Sequence, residues 1–188
     1  MSQMAKEFNA INLSQGFPDF PVSDKLIELT HQAMRNGFNQ YPPMQGYMLL
    51  REAIAAKTEQ LYGARYNPET EVTVTAGATQ AIFTAIQALI REEDEVIIFT
   101  PAYDCYAPAV ELAGGKTIYV PLQAPDFKID WDEVKKLVTR RTRMILINTP
   151  HNPTGTIFTP NDLVQLERIT TGNDIVVLSD EVYEHIVF

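Results

Sequence analysis

Met144-Ile145-Leu146-Ile147-Asn148-Thr149-Pro150-His151-Asn152-Pro153-Thr154-Gly155 decides how this chain folds. Its first four residues are apolar with no alternation, which suits a strand covered on both faces, as in a parallel sheet. A stiff turn follows, because each proline fixes its own φ and removes a backbone donor. Thr159 and Pro160 then supply an N-cap and a first-turn residue for a helix reaching about Ile169. Ile175-Val176-Val177-Leu178 repeats the unalternated strand pattern.

Working back toward the N-terminus, the alternation continues. Val96-Ile97-Ile98-Phe99 and Thr117-Ile118-Tyr119-Val120 read as strands, and Val72-Thr73-Val74 as a further short one. Helices are expected from Ala78 to Ile90, from Tyr103 to Ala113, and from an Asp130 cap with Glu133 to about Val138. Earlier, Ser23 caps a helix to about Asn36 with Gly37 as its stop, and a second helix runs from Gly46 to Tyr62. Gly16-Phe17-Pro18-Asp19-Phe20-Pro21 and Tyr41-Pro42-Pro43 are turns or extended segments. The expected architecture is α/β, a largely parallel sheet with flanking helices.

Composition narrows the function classes. The 188 residues carry 24 acidic and 15 basic side chains, a net charge of −9, which argues against a nucleic-acid partner. Val72 to Ile90 is uncharged, but it holds four threonines, two glutamines and Gly77, so it reads as strand, turn and helix and not as a membrane span. A single cysteine, Cys105, rules out an internal disulfide framework and fits a reducing, cytoplasmic setting. No basic start followed by an apolar run suggests a secretory signal.

In a parallel sheet, ligands bind beyond the carboxyl ends of the strands, so the residues placed there are the candidates. Thr75-Ala76-Gly77-Ala78-Thr79 precedes a helix and offers backbone N–H groups to an anion, or is a tight turn capped by Thr75 or Thr79. Tyr103 either stacks on a flat ligand or sits in the core. The loop carrying His151 and Asn152 is either a rigid ligand-holding loop or a structural turn. Asp180 follows four apolar strand residues and Ser179, and a carboxylate there needs a cation from the protein or from a ligand. The Glu181, Glu184 and His185 cluster does not match zinc-protease spacing, and no metal site is expected. Cys105 has no basic neighbour and reads as a packed thiol.

In order, these motifs resemble those of the class I/II aminotransferases, pyridoxal 5′-phosphate (PLP) enzymes of fold type I. Asn152-Pro153-x-Gly155 followed by Asp180-x-x-Tyr183 carries the resemblance most specifically. Asn12-Leu13-Ser14-Gln15-Gly16-Phe17-Pro18-Asp19-Phe20 and Asn39-Gln40-Tyr41 look like the methionine and kynurenine–glutamine transaminase branch. The resemblance implies that Gly77, Ala78 and Thr79 hold the cofactor phosphate, and that Tyr103 stacks on the ring. It assigns Asn152 and Tyr183 to the ring's phenolic oxygen and Asp180 to the pyridine nitrogen. Tyr41 matches a residue that reaches the partner subunit's phosphate, implying a homodimer. Gly16 matches a substrate-pocket position, where Asn152 also meets the substrate carboxylate. Beside a carboxylate the pyridine nitrogen is held protonated. The ring then draws electrons from the substrate Cα, so an amino acid becomes its 2-oxo acid.

The family's Schiff-base lysine sits in a Ser-x-x-Lys motif after Asp-x-x-Tyr, and no lysine follows Lys136 here. It is expected beyond Phe188, with this chain an N-terminal fragment that is inactive alone. Residues 1–45 would be an arm and part of the small domain, and residues 46–188 an incomplete large PLP-binding domain. A cysteine-conjugate β-lyase on the same fold and a non-catalytic PLP-binding regulatory module are the alternatives. A dinucleotide-binding domain is disfavoured, since no GxGxxG follows a strand.

Overall fold

A computed structural model of the chain describes residues 1–12, 16, 18 and 20–186. Leu13, Ser14, Gln15, Phe17 and Asp19 of the Asn12–Phe20 motif lie outside the described residues. The chain divides into two units, Met1–Tyr47 and Met48–Phe188.

In the first unit, α1 spans Ser2–Glu7 and α2 spans Asp24–Arg35. Ser23 is the N-cap of α2 by position only, with no side-chain bond, and Gly37 follows its C-cap at φ +88°. The apolar residues of α2, Leu26, Ile27, Leu29 and Met34, are exposed.

The second unit begins with α3 (Met48–Tyr62) and α4 (Ala78–Leu89). Strand β1 (Glu95–Thr100), α5 (Tyr106–Leu112) and β2 (Lys116–Pro121) follow. Then come α6 (Trp131–Leu137), β3 (Thr142–Asn148), α7 (Pro160–Thr170) and β4 (Val176–Asp180). The strands form one sheet in the order β2-β1-β3-β4, with every pairing parallel. Of the three predicted N-caps, those at Asp130 and Thr159 form with side-chain bonds, and that at Ser23 does not. Asp130 accepts the N–H groups of Asp132 and Glu133, and Thr159 and Asp162 bond reciprocally in a capping box.

Strands β1 and β3 bury side chains on both faces, as expected from their unalternated runs. Val96 and Ile98 of β1 and Met144 and Leu146 of β3 pack with Ile82, Ile86 and Val110 of α4 and α5. Ile97, Phe99, Ile145 and Ile147 point the other way, against Trp131, Val134, Leu166 and Ile169 of α6 and α7. Fully burying one such side chain contributes about 1.5–3 kcal/mol, so β1 and β3 are the spine of the unit. At the sheet edge β4 alternates between half-buried and exposed positions up to its buried last residue, Asp180, so the run Ile175–Leu178 is not covered on both faces as expected.

Two sequence expectations are corrected. Val72-Thr73-Val74 is not a strand of the sheet. Its Val72 carbonyl accepts from Nε of buried Arg51 at 2.8 Å, and among the described residues no strand lies alongside to complete a ladder. Helix α5 begins at Tyr106 instead of Tyr103, after a turn closed by Tyr106 N–H to Tyr103 carbonyl. Pro108 explains the later start. In a helix beginning at Tyr106 its missing N–H falls in the first turn, where no intrahelical acceptor exists.

Candidate functional site

The parallel sheet brings the carboxyl ends of β1, β3 and β4 to one edge. There a cavity of about 240 Å³ is lined by Gly77, Ala78, Thr79, Tyr103, Asn152, Asp180 and Tyr183, together with Tyr106 and Asn148. Seven of the predicted residues thus meet, drawn from four chain segments. The other two lie in the first unit. Tyr41 is fully exposed, and Gly16 has open space around it.

Gly77 holds the entrance to α4 at φ +90° and ψ 164°, a conformation that side-chain-bearing residues rarely adopt. Neither Thr75 nor Thr79 caps the helix, so the capped-turn reading does not hold. Thr75 donates to the Gly77 carbonyl at 3.1 Å, and the Gln80 side chain accepts from Ala76 N–H at 2.6 Å. The first N–H groups of α4 therefore open toward the cavity without a side-chain cap, an arrangement that attracts anions.

Asp180 ends β4 and is 9% exposed. Tyr106 Oη donates to its Oδ2 at 2.6 Å, and the Val182 N–H donates to Oδ1 at 3.1 Å. Among the described residues no cation pairs with it. The structural ion pair left open by the sequence is absent, and a neutral phenol has taken its place. Burial raises the Tyr106 phenol far above the usual tyrosine range, and the hydrogen bond to Asp180 adds to the shift. Tyr106 therefore stays a donor at neutral pH. Tyr103 is 44% exposed, so it is not a core tyrosine. Its ring meets Tyr106 edge-on, with centroids 6.0 Å apart.

Asn148 and Tyr106 are the site residues that sequence reasoning missed. Tyr106 resembles any apolar helix residue, yet it stands three positions after Tyr103, and the turn between them brings the two rings together. Asn148 is a polar residue closing the run Met144–Ile147, the same signal that singled out Asp180.

His151 is buried within its loop, with Nδ1 2.8 Å from Thr154 Oγ1. Burial pushes its pKa down, and a bond to the Pro101 backbone opposes that shift. Cys105 is half-buried, and burial pushes its thiol pKa up, so it is not a ready nucleophile. Glu184 is engaged by Lys57 Nζ and Tyr62 Oη of α3, each at 3.0 Å.

A larger cavity of about 530 Å³ opens beside the first, between the loops preceding α6 and α7. Its walls include Phe99, Trp131 and Phe158, and Trp131 Nε1 donates to Asp162 at 2.8 Å. The smaller cavity holds the carboxylate that no cation pairs with and the uncapped helix, and it is the candidate site.

Among the described residues no helix is long and apolar enough to cross a membrane. Comparison with known proteins identifies the family. The family described as aminotransferase class I and II matches residues 9–188. A methionine aminotransferase of Escherichia coli (strain K12) is 50% identical over 188 residues, covering 100% of this chain and 49% of that protein. Kynurenine–oxoglutarate transaminase 1 of Mus musculus is 38% identical, covering 100% of this chain and 47% of that protein. The solved N-succinyldiaminopimelate aminotransferase from Mycobacterium tuberculosis superposes with a TM-score of 0.95 at 44% identity, covering 100% of this chain and 50% of that one. The chain spans about half the length of the curated relatives it matches. With a doubly covered parallel sheet, a cavity at its carboxyl edge and this match over nearly every residue, the chain belongs to the class I and II aminotransferases, a family of enzymes.

Proposed function

We propose that this chain forms the cofactor-holding part of a PLP-dependent aminotransferase that converts methionine, an aromatic or a glutamine-like amino acid to its 2-oxo acid. The observation that carries the reading is the buried carboxylate of Asp180, without a protein cation, in one cavity with an uncapped helix N-terminus and an exposed tyrosine ring. That donor set fits PLP, which has an anionic phosphate, a flat ring and a ring nitrogen that can carry a proton.

Gly77, Ala78 and Thr79 bind the phosphate through the α4 N-terminus. Tyr103 covers the ring face, and Asn152 and Tyr183 serve the phenolic oxygen. Asp180 keeps the proton on the ring nitrogen, and Tyr106 and Val182 orient its carboxylate. Bound PLP supplies an electron sink that acidifies the substrate Cα–H. Asn152 also orients the substrate carboxylate, and Gly16 leaves room for the substrate. Tyr41 reaches the phosphate of a second copy, which makes the enzyme a homodimer. None of Lys6, Lys25, Lys57, Lys116, Lys128, Lys135 and Lys136 lines the cavity, so the 188 residues alone do not turn over substrate. We assign the enzyme to the cytoplasm, a reading supported by its single half-buried cysteine.

The test is a PLP titration of the protein and of Asp180→Ala, followed by absorbance. A charge-assisted bond contributes about 1.5–3 kcal/mol, so the variant should bind about 10- to 100-fold more weakly. Equal affinity in the two proteins would remove Asp180 from the site.

A further inference from the structure

Asn148 ends β3 with its side chain buried, 6% exposed. A buried amide needs partners at both ends, and Asn148 finds them in two different segments. Its Oδ1 accepts the main-chain N–H of Asn152 at 2.7 Å. Its Nδ2 donates to the main-chain carbonyl of Asp180 at 2.9 Å. Asp180 is also the register partner of Asn148 across β3 and β4, and the same carbonyl accepts Thr149 N–H at 3.1 Å.

The rest of the loop is closed on itself. His151 N–H reaches the Thr156 carbonyl at 2.8 Å, and Gly155 N–H reaches the His151 carbonyl at 2.7 Å. The segment bearing Asn152 is thus a small rigid body, and the Asn148 amide joins it to the residue bearing the carboxylate.

We propose that Asn148 is a positioning residue that fixes the spacing between the Asn152 amide and the Asp180 carboxylate. The proposal rests on the PLP reading of the cavity, in which these two side chains serve two different groups of one rigid ring. A rigid ligand cannot follow anchors that drift apart, so loosening their spacing weakens both contacts together. Asn148 acts through its two neighbours, and its loss differs from the loss of a direct ligand because both anchors remain present.

Asn148→Ala in the full-length holoenzyme removes both arms. Asn148→Ser keeps a buried hydroxyl too short to hold both partners, and it carries the test if the alanine variant does not fold. Four quantities are measured: hydrogen exchange at the Asn152 amide, the PLP dissociation constant, the pH midpoint of the bound cofactor's absorbance, and kcat with KM. Supporting results are Asn152 exchange about 10-fold faster or more, PLP affinity down about 10- to 100-fold, a moved absorbance midpoint, and kcat down about 100-fold with KM within about threefold. A merely smaller folded fraction would lower kcat without moving the midpoint. Unchanged exchange at Asn152, or faster exchange with unchanged PLP affinity and kcat, overturns the positioning role while the PLP reading stands. A wild-type protein with no affinity for PLP overturns the PLP reading, and the positioning role with it.

Discussion

Replacing Tyr106 with phenylalanine isolates one hydrogen bond at the centre of the site. The ring stays, so packing against Ile82, Ile98 and Leu146 is preserved, and only the hydroxyl that donates to Asp180 Oδ2 at 2.6 Å is lost. Tyr106 is 2% exposed and Asp180 9%, so water has little access to replace the donor. A bond to an ionised group in such a place contributes about 1.5–3 kcal/mol. For a chain of this size that corresponds to a fall in Tm of about 3–12 °C. Urea unfolding followed by circular dichroism, on wild type, Tyr106→Phe, Asp180→Ala and the double variant, gives the coupling energy, since each single variant removes one partner of the bond. The cycle should return about 1.5 kcal/mol or more. A coupling below about 0.5 kcal/mol would show that the contact carries no stability and that Asp180 is held by other means.

His151 gives a pH-dependent stability. Its folded-state pKa is depressed, so the unfolded chain binds the extra proton, and stability falls as pH drops from about 6.5 through the folded value. His151→Gln should flatten that slope in unfolding curves collected from pH 7 downward, and an unaltered slope would assign the pH response to other groups. At Gly115 an added Cβ would lie 2.7 Å from Ile90 Cγ2 and 3.0 Å from Val110 Cγ1, so Gly115→Ala should destabilise by about 1–3 kcal/mol in the same assay, and a neutral result would show that the α4–α5 contact yields easily.

Much of this was legible because unalternated runs report double burial. Met144–Ile147 placed β3 between two helical layers, and the rule that ligands sit beyond strand ends then gathered seven residues that do line one cavity. Val72–Val74 misled because β-propensity describes a segment, whereas a strand needs a neighbour, and Arg51 has taken its carbonyl instead. Tyr106 escaped because a phenol reads as apolar until the acid it meets is known, and that acid lies 74 residues away. The start of α5 was legible in principle from Pro108, and the turn at Tyr103 obscured it.

Because every strand of the sheet runs the same way, the cavity has no local precursor. Its wall is drawn from residues as distant along the chain as Gly77 and Tyr183, and no hairpin pre-assembles any part of it. Loop closure must therefore be completed before these contacts repay it, and contacts this distant in sequence slow folding. Any ligand of this cavity recognises only the finished topology. Its binding withdraws native molecules from the folding equilibrium and raises apparent stability by mass action, so ligand occupancy becomes a readout of folding completion.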